Sequence, residues 1–128
     1  MTNLELVQEL YRSSGRKEFD AFRAIVAPDL EWIQMPGFPG GGHWRGPAEV
    51  IEKVFEGNDR RWADFGFETT QYLEAGSAVI VIGTYHGRHR LSGKSFSAEA
   101  LHLFDLAGGR VIRFRQYTDT KLICDAVS

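Results

Sequence analysis

"SAVIVIGTYHGRHRLSGKSFSAEALHLFDLAGGRVIRFRQYT", residues 77–118, holds three β-rich runs separated by two turn signals. Ser92-Gly93 and Gly108-Gly109 leave connections too short for a crossover helix. Neighbouring strands must therefore run antiparallel. "FGFETTQYLEAG", residues 65–76, supplies a fourth run that ends at Ala75-Gly76. Gly83 and Gly87 lie inside a strand, which predicts sharp bends or bulges there.

Upstream of Phe65 the apolar period changes to that of helices. Thr2 and Glu5 form a capping-box pattern, and Leu4, Val7, Leu10 and Tyr11 make one stripe that ends near Gly15. Phe19, Phe22, Ile25 and Val26 mark a second short helix, broken at Pro28-Asp29. "LEWIQM", residues 30–35, reads as a short strand. A glycine loop follows, and Pro47 opens a third helix with Val50, Ile51, Val54 and Phe55 on its buried side. Gly57 is the expected end of that helix, and "NDRRWADF" an irregular turn. Helices first and an antiparallel sheet second is an α+β order. The expected architecture is a cone: a curved antiparallel sheet wraps the N-terminal helices and encloses an apolar pocket, all in one domain, 1–128.

Composition agrees with a single soluble domain. The 128 residues are 43% apolar and 25% charged, with nine Phe, four Tyr and three Trp, enough large rings to fill a core or line a cavity. A net charge of −2, with "GRHR" (residues 87–90) as the nearest basic cluster, argues against nucleic-acid binding. No run approaches the length of a membrane span, and the acidic, amphipathic start is unlike a signal peptide. Cys124 is the only cysteine. A cytoplasmic location without disulfides is expected.

Alternation along residues 96–104 puts Phe96, Ala98, Ala100, His102 and Phe104 on one face, and Ser97, Glu99, Leu101 and Leu103 on the other. The alanines either leave space for a ligand or receive a closely packed helix. The second face is also partly apolar, so a second copy is expected to cover it, giving a homodimer through the outer sheet face. His102 on an inward row needs a hydrogen-bond partner, either as an acid, base or oxyanion donor, or as a satisfied core histidine. Tyr11 ends the apolar stripe of the first helix and raises the same choice. Gln116 shares its parity with Ile112 and Phe114, which turns it inward and Arg113, Arg115 and Tyr117 outward. Asp119 is a helix N-cap, a surface carboxylate or a pocket carboxylate.

Several chemistries are argued against. His86 and His89 point to opposite faces, and no Cys/His spacing matches a zinc site, so no metal is expected. No G-x-S-x-G elbow is present. "PGFPGGGHWRGP", residues 36–47, lacks the Lys-Ser/Thr of a phosphate loop, and Glu49 would repel phosphate. This loop reads either as the lip of the pocket, with Phe38, His43 and Trp44 at its rim, or as a plain surface loop.

Three stretches together carry a resemblance over nearly the whole chain: "VQELYRSSGRKEFDAFRAIVAPDLEW", "GGGHWRGPAEVIEKVF" and "GGRVIRFRQYTDT". They resemble the nuclear transport factor 2-like superfamily, in its SnoaL-like and ketosteroid-isomerase-like branch. The resemblance implies a conical α+β domain with an apolar pocket and a common dimer through the sheet. Its members include isomerases, cyclases and non-catalytic proteins, so fold alone does not fix function. The isomerase's oxyanion tyrosine falls on Tyr11, its protonated aspartate on His102, and its general base on Met35, which cannot act as one. The acidic residue of SnoaL-like cyclases falls nearest Asp119, with Gln116 competing.

The reading that follows is a pocket for a small, mostly apolar, carbonyl-bearing molecule. Trp32, Met35, Phe38, Trp44, Tyr85, Ala98, Ala100, Phe104 and Gln116 would shape it. Proton transfer through Asp119, His102 and Tyr11, without a cofactor, would make the protein an isomerase or cyclase. A non-catalytic ligand-binding or protein-interaction domain is the alternative.

Overall fold

The computed structural model describes residues 1–128. Helix α1 (Asn3–Gly15) begins with the capping box: the Thr2 hydroxyl accepts from the Glu5 backbone at 3.1 Å, and the Glu5 carboxylate accepts from the Thr2 backbone at 2.8 Å. Helix α2 (Phe19–Ile25) runs directly into strand β1 (Val26–Ile33). The expected strand began only at Leu30. Pro28 is accommodated because the pairing of β1 shifts register between Val26 and Glu31, so no ladder donor is needed there.

The glycine loop is not all loop. His43–Arg45 forms β2, a short edge strand paired antiparallel with β1. Helix α3 (Pro47–Val50) continues through a π-helical turn, Ile51–Phe55, into α4 (Glu56–Arg61). Gly57 therefore does not end the helix. It is buried, and a Cβ placed there would lie 2.9 Å from the Arg61 guanidinium. The widened turn adds a residue to the helical path and re-aims the side chains after it.

Strands β3 (Trp62–Ala75), β4 (Ala78–His89), β5 (Ser95–Ala107) and β6 (Arg110–Thr118) form a meander, and α5 (Thr120–Asp125) closes the chain. Gly76, Gly93, Gly108 and Gly109 take positive φ at the three turns, a conformation only glycine adopts without strain. Sheet order is β2-β1-β6-β5-β4-β3, curved and unclosed. The sheet is mixed rather than purely antiparallel, because β1 pairs parallel with β6. The long path through β2 to β5 permits this.

Gly83 explains part of the curvature. A Cβ there would sit 2.4 Å from the Glu68 carbonyl oxygen and 2.6 Å from the Phe67 ring, beside the register shift between Thr69 and Gln71 in β3. Strand β5 follows the expected alternation, with Phe96, Ala98, Ala100, His102, Phe104 and Leu106 buried. Strand β6 departs from it. Leu106 pairs with Val111 and Asp105 with Arg113, so Ile112 is the extra residue of a bulge. Val111 faces the core and Ile112 is exposed, opposite to the expected parity, while Phe114 and Gln116 remain inward.

The larger core cluster joins α1, α2 and the helix around Val50–Val54 to the concave face of β1, β4, β5 and β6. A second cluster, under α5, contains Phe38, Trp62, Tyr85, Phe96, Ala98, Ala100, Ile123 and Ala126. No helix is long and apolar enough to cross a membrane.

Candidate functional site

A cavity of about 190 Å³ lies between the two core clusters. Leu10, Tyr11 and Ser14 of α1 form one wall, with Gly15 and Lys17 just beyond them. Val54, Phe55, Asn58 and Asp59 form the opposite wall. The floor comes from the sheet: Trp32, Phe65, Gly66, Phe67, Tyr85, His102 and Phe114, with Gln34 just after β1. The exposed positions Gly15 and Lys17 mark its mouth. There the Lys17 ammonium meets the Asp59 carboxylate at 2.8 Å. Lys17 holds φ at +58°, an uncommon left-handed conformation for a residue with a side chain.

A buried hydrogen-bond chain ends at this cavity. The Met35 backbone N–H donates to Gln116 Oε1 at 3.3 Å, and Gln116 Nε2 donates to the Tyr85 hydroxyl at 2.9 Å. The Tyr85 hydroxyl lies 2.6 Å from His102 Nε2, and His102 Nδ1 lies 2.7 Å from the Tyr11 hydroxyl. His102 of β5 lies directly opposite Gln116 of β6 and Val81 of β4, while Tyr85, farther along β4 opposite Ala98, reaches the imidazole with its hydroxyl. Rings enclose the imidazole. Phe67 stacks on it at 4.1 Å and Phe114 meets it edge-on at 4.7 Å.

This environment sets the charge state. Burial pushes His102 down to about 3, because the imidazolium would be desolvated. Burial likewise raises both Tyr11 and Tyr85 above the ordinary phenol range, with Tyr85 eased slightly by the Gln116 hydrogen bond. The chain is thus neutral at physiological pH. It can donate and accept hydrogen bonds, but His102 cannot serve as a ready acid.

Of the residues singled out from the sequence, Tyr11, His102, Trp32 and Tyr85 border the cavity, and Gln116 reaches it through Tyr85. The others lie elsewhere. Asp119 caps α5, accepting from the Leu122 backbone at 3.3 Å on an exposed surface. Ala98 and Ala100 pack with Ile123 and Ala126, so a helix rather than a ligand fills the space beside them. Phe38 is buried in the same cluster, tilted against Tyr85 at 5.6 Å. Met35 turns its sulfur to the Thr118 backbone N–H at 3.3 Å. Phe104 is fully buried in the core, and Trp44 packs against that core from the edge strand. No residue of the glycine loop borders the cavity, so the loop is not its lip.

Two buried polar residues at the cavity escaped the sequence reading. Gln34 is only 4% exposed, borders the cavity, and has an Oε1 without a protein partner. Its parity with the inward Leu30 and Trp32 was the available signal. Asn58 is also buried at the cavity. It escaped because the helix was expected to end at Gly57. The indole Nε1 of Trp32 also lacks a partner. Gln34 and Trp32 thus bring to the cavity wall a buried acceptor and a buried donor that no protein group engages. No group of three or more His, Cys, Asp or Glu side chains converges to hold a metal ion.

Fold and cavity together define a cone-shaped α+β domain with a pocket between its helices and its sheet. Residues 7–114 match the sequence profile of the SnoaL-like domain, and the chain belongs to that family. An NTF2-like protein from Burkholderia thailandensis is 34% identical, with a TM-score of 0.95 over 100% of this chain and 98% of that one. A structure from Jannaschia sp. CCS1 assigned as a SnoaL-like polyketide cyclase is 20% identical, with a TM-score of 0.85 over 98% and 91% of the two chains. TerC, co-crystallised with polyporic acid, is 20% identical, with a TM-score of 0.86 over 98% and 97%. At such identities the last two share the fold alone. No curated protein matches the sequence significantly.

Proposed function

We propose that the protein binds a small, uncharged, carbonyl-bearing molecule in this cavity, with the carbonyl oxygen accepting from Tyr11. The observation that carries the reading is the buried Tyr11–His102–Tyr85–Gln116 chain, which ends in a hydroxyl at an apolar cavity. A dry cavity of roughly 150 Å³ holds a benzene ring, so about 190 Å³ suits one ring with a short substituent. Apart from the Lys17–Asp59 ion pair at the mouth, the polar wall groups are neutral, which disfavours a charged ligand in the interior. Gln34 offers an amide to a second polar atom of the ligand.

Acetophenone is a suitable probe. Titration calorimetry should show binding to the wild type, and Tyr11→Phe should weaken it about three- to tenfold, the worth of one neutral hydrogen bond. Equal affinity for both proteins would remove Tyr11 from recognition. A wild type that ignores single-ring ketones would remove the ligand class.

A second reading, proton transfer on the bound ketone, is favoured by one observation: Asp59 borders the same cavity. Asp59 would take a proton from the carbon next to the carbonyl, Tyr11 would stabilise the enolate oxygen, and the proton would return to carbon. In D₂O the methyl hydrogens of acetophenone would then exchange, and Asp59→Asn should slow that exchange about 100-fold. Proton NMR follows it directly. Exchange that survives the substitution would exclude Asp59 as the base.

A further inference from the structure

The proton positions along the buried chain follow from its two ends. At one end, the Met35 backbone N–H can only donate, so the Gln116 atom facing it at 3.3 Å must be the carbonyl oxygen. That orients the amide and commits Gln116 Nε2 to donate to Tyr85 at 2.9 Å. Tyr85 is buried, and its hydroxyl proton must find an acceptor. Gln116 presents a donor there, which leaves His102 Nε2, at 2.6 Å, as the acceptor. A neutral imidazole carries one proton, so it sits on Nδ1 and points to the Tyr11 oxygen at 2.7 Å. Tyr11 then accepts from the histidine, and its own proton is free to face the cavity.

We infer that Gln116 is a positioning residue: acting through Tyr85, it fixes His102 as the Nδ1–H tautomer and makes Tyr11 a hydrogen-bond donor to the cavity. The opposite order would have Tyr85 accept from both neighbours and leave its buried proton unpaired. It would also spend the Tyr11 proton on His102 and present the ligand with lone pairs only. The site would then prefer a hydroxyl or amine donor to a carbonyl. The last link, to the ligand, rests on the binding reading above. The proton order does not.

The reversing substitution is Gln116→Glu. With the introduced carboxyl ionised at alkaline pH, one oxygen can keep the Met35 N–H while the other accepts from Tyr85. The Tyr85 oxygen would then accept from His102 Nε2–H, and Tyr11 would have to donate to Nδ1. Nitrogen-15 NMR of histidine-labelled protein distinguishes the two neutral tautomers without any ligand. The expected result is Nδ1–H in the wild type, Nε2–H in Gln116→Glu, and a roughly three- to tenfold loss of acetophenone affinity in that variant. A wild type carrying Nε2–H, or a Gln116→Glu protein that keeps Nδ1–H at alkaline pH, would overturn the inference. Tyr11→Phe is a second check if Gln116→Glu does not fold. It should retain Nδ1–H, since Tyr85 alone holds Nε2 bare, and a switch to Nε2–H would overturn the inference. Correct tautomers with no probe binding would uphold the proton order and refute the ligand reading.

Discussion

Truncating Phe104 to alanine is expected to lower the unfolding free energy by about 3–5 kcal/mol. The ring is fully buried where β4, β5 and β6 meet the helices, directly opposite Val79 on one strand and Phe114 on the other. It meets Phe114 at 5.3 Å and Tyr11 at 5.7 Å, both near edge-on. Removing it forfeits apolar burial and leaves a void that the rigid strands cannot close. The void would lie against Tyr11, so the hydroxyl should also lose its fixed place. Leu73→Ala is the control. Leu73 is 41% exposed on β3, and its loss should change stability by no more than about 0.5 kcal/mol. Urea unfolding of both variants checks the contrast. A Phe104→Ala cost below about 1 kcal/mol would mean that the core is not packed as described.

Acid should expose the second large effect. An unfolded chain protonates His102 as the pH falls through its ordinary value of 6.5, whereas burial holds the folded value near 3. Between those limits the unfolded state binds the extra proton, so stability falls as pH falls. The slope approaches about 1.4 kcal/mol per pH unit, which amounts to about 3 kcal/mol between pH 7 and pH 4. His102→Phe should be less stable than the wild type at neutral pH, because the Tyr11 hydroxyl loses its partner and Tyr85, left with Gln116 alone, loses the acceptor for its buried proton. It should nevertheless lack this portion of the acid sensitivity. Denaturant unfolding of the two proteins at several pH values isolates the histidine from the carboxylates, which titrate in both. Parallel pH profiles would show that His102 is not held neutral by burial.

Much of the fold was legible because β5 is regular. Strict alternation from Phe96 to Phe104 turned His102 inward, and short glycine turns fixed the meander. What escaped depends on departures from regular geometry. The bulge at Ile112 reversed the facing of Val111 and Ile112 in β6 without changing composition. The π-helical turn carried the third helix past Gly57, so Asn58 and Asp59 reached the cavity unannounced. The parallel β1–β6 pair is a long-range choice that no local pattern encodes. At the site, Tyr11 and His102 were found from stripe and parity, although their bond spans 91 positions in sequence. Asp119 shows the opposite case. A carboxylate that begins a helix has the same local sequence whether it caps the backbone or meets a ligand, and only the tertiary placement separates the two.

The resemblance to ketosteroid isomerase pointed at Met35 for the missing base. The inward residue at that end of the strand is its neighbour Gln34, and Met35 is turned to β6. A neutral amide thus stands at the cavity close to where a carboxylate was sought. This favours binding over base catalysis from the strand. It leaves Asp59, across the mouth, as the one carboxylate bordering the cavity.

A crystal structure of the protein with acetophenone bound tests the central claim most directly. The account predicts the ring in the cavity between Phe67 and Val54, with its carbonyl oxygen about 3 Å from the Tyr11 hydroxyl. A ring seated there with its carbonyl turned away from Tyr11, or a cavity left empty at saturating ketone, would contradict it.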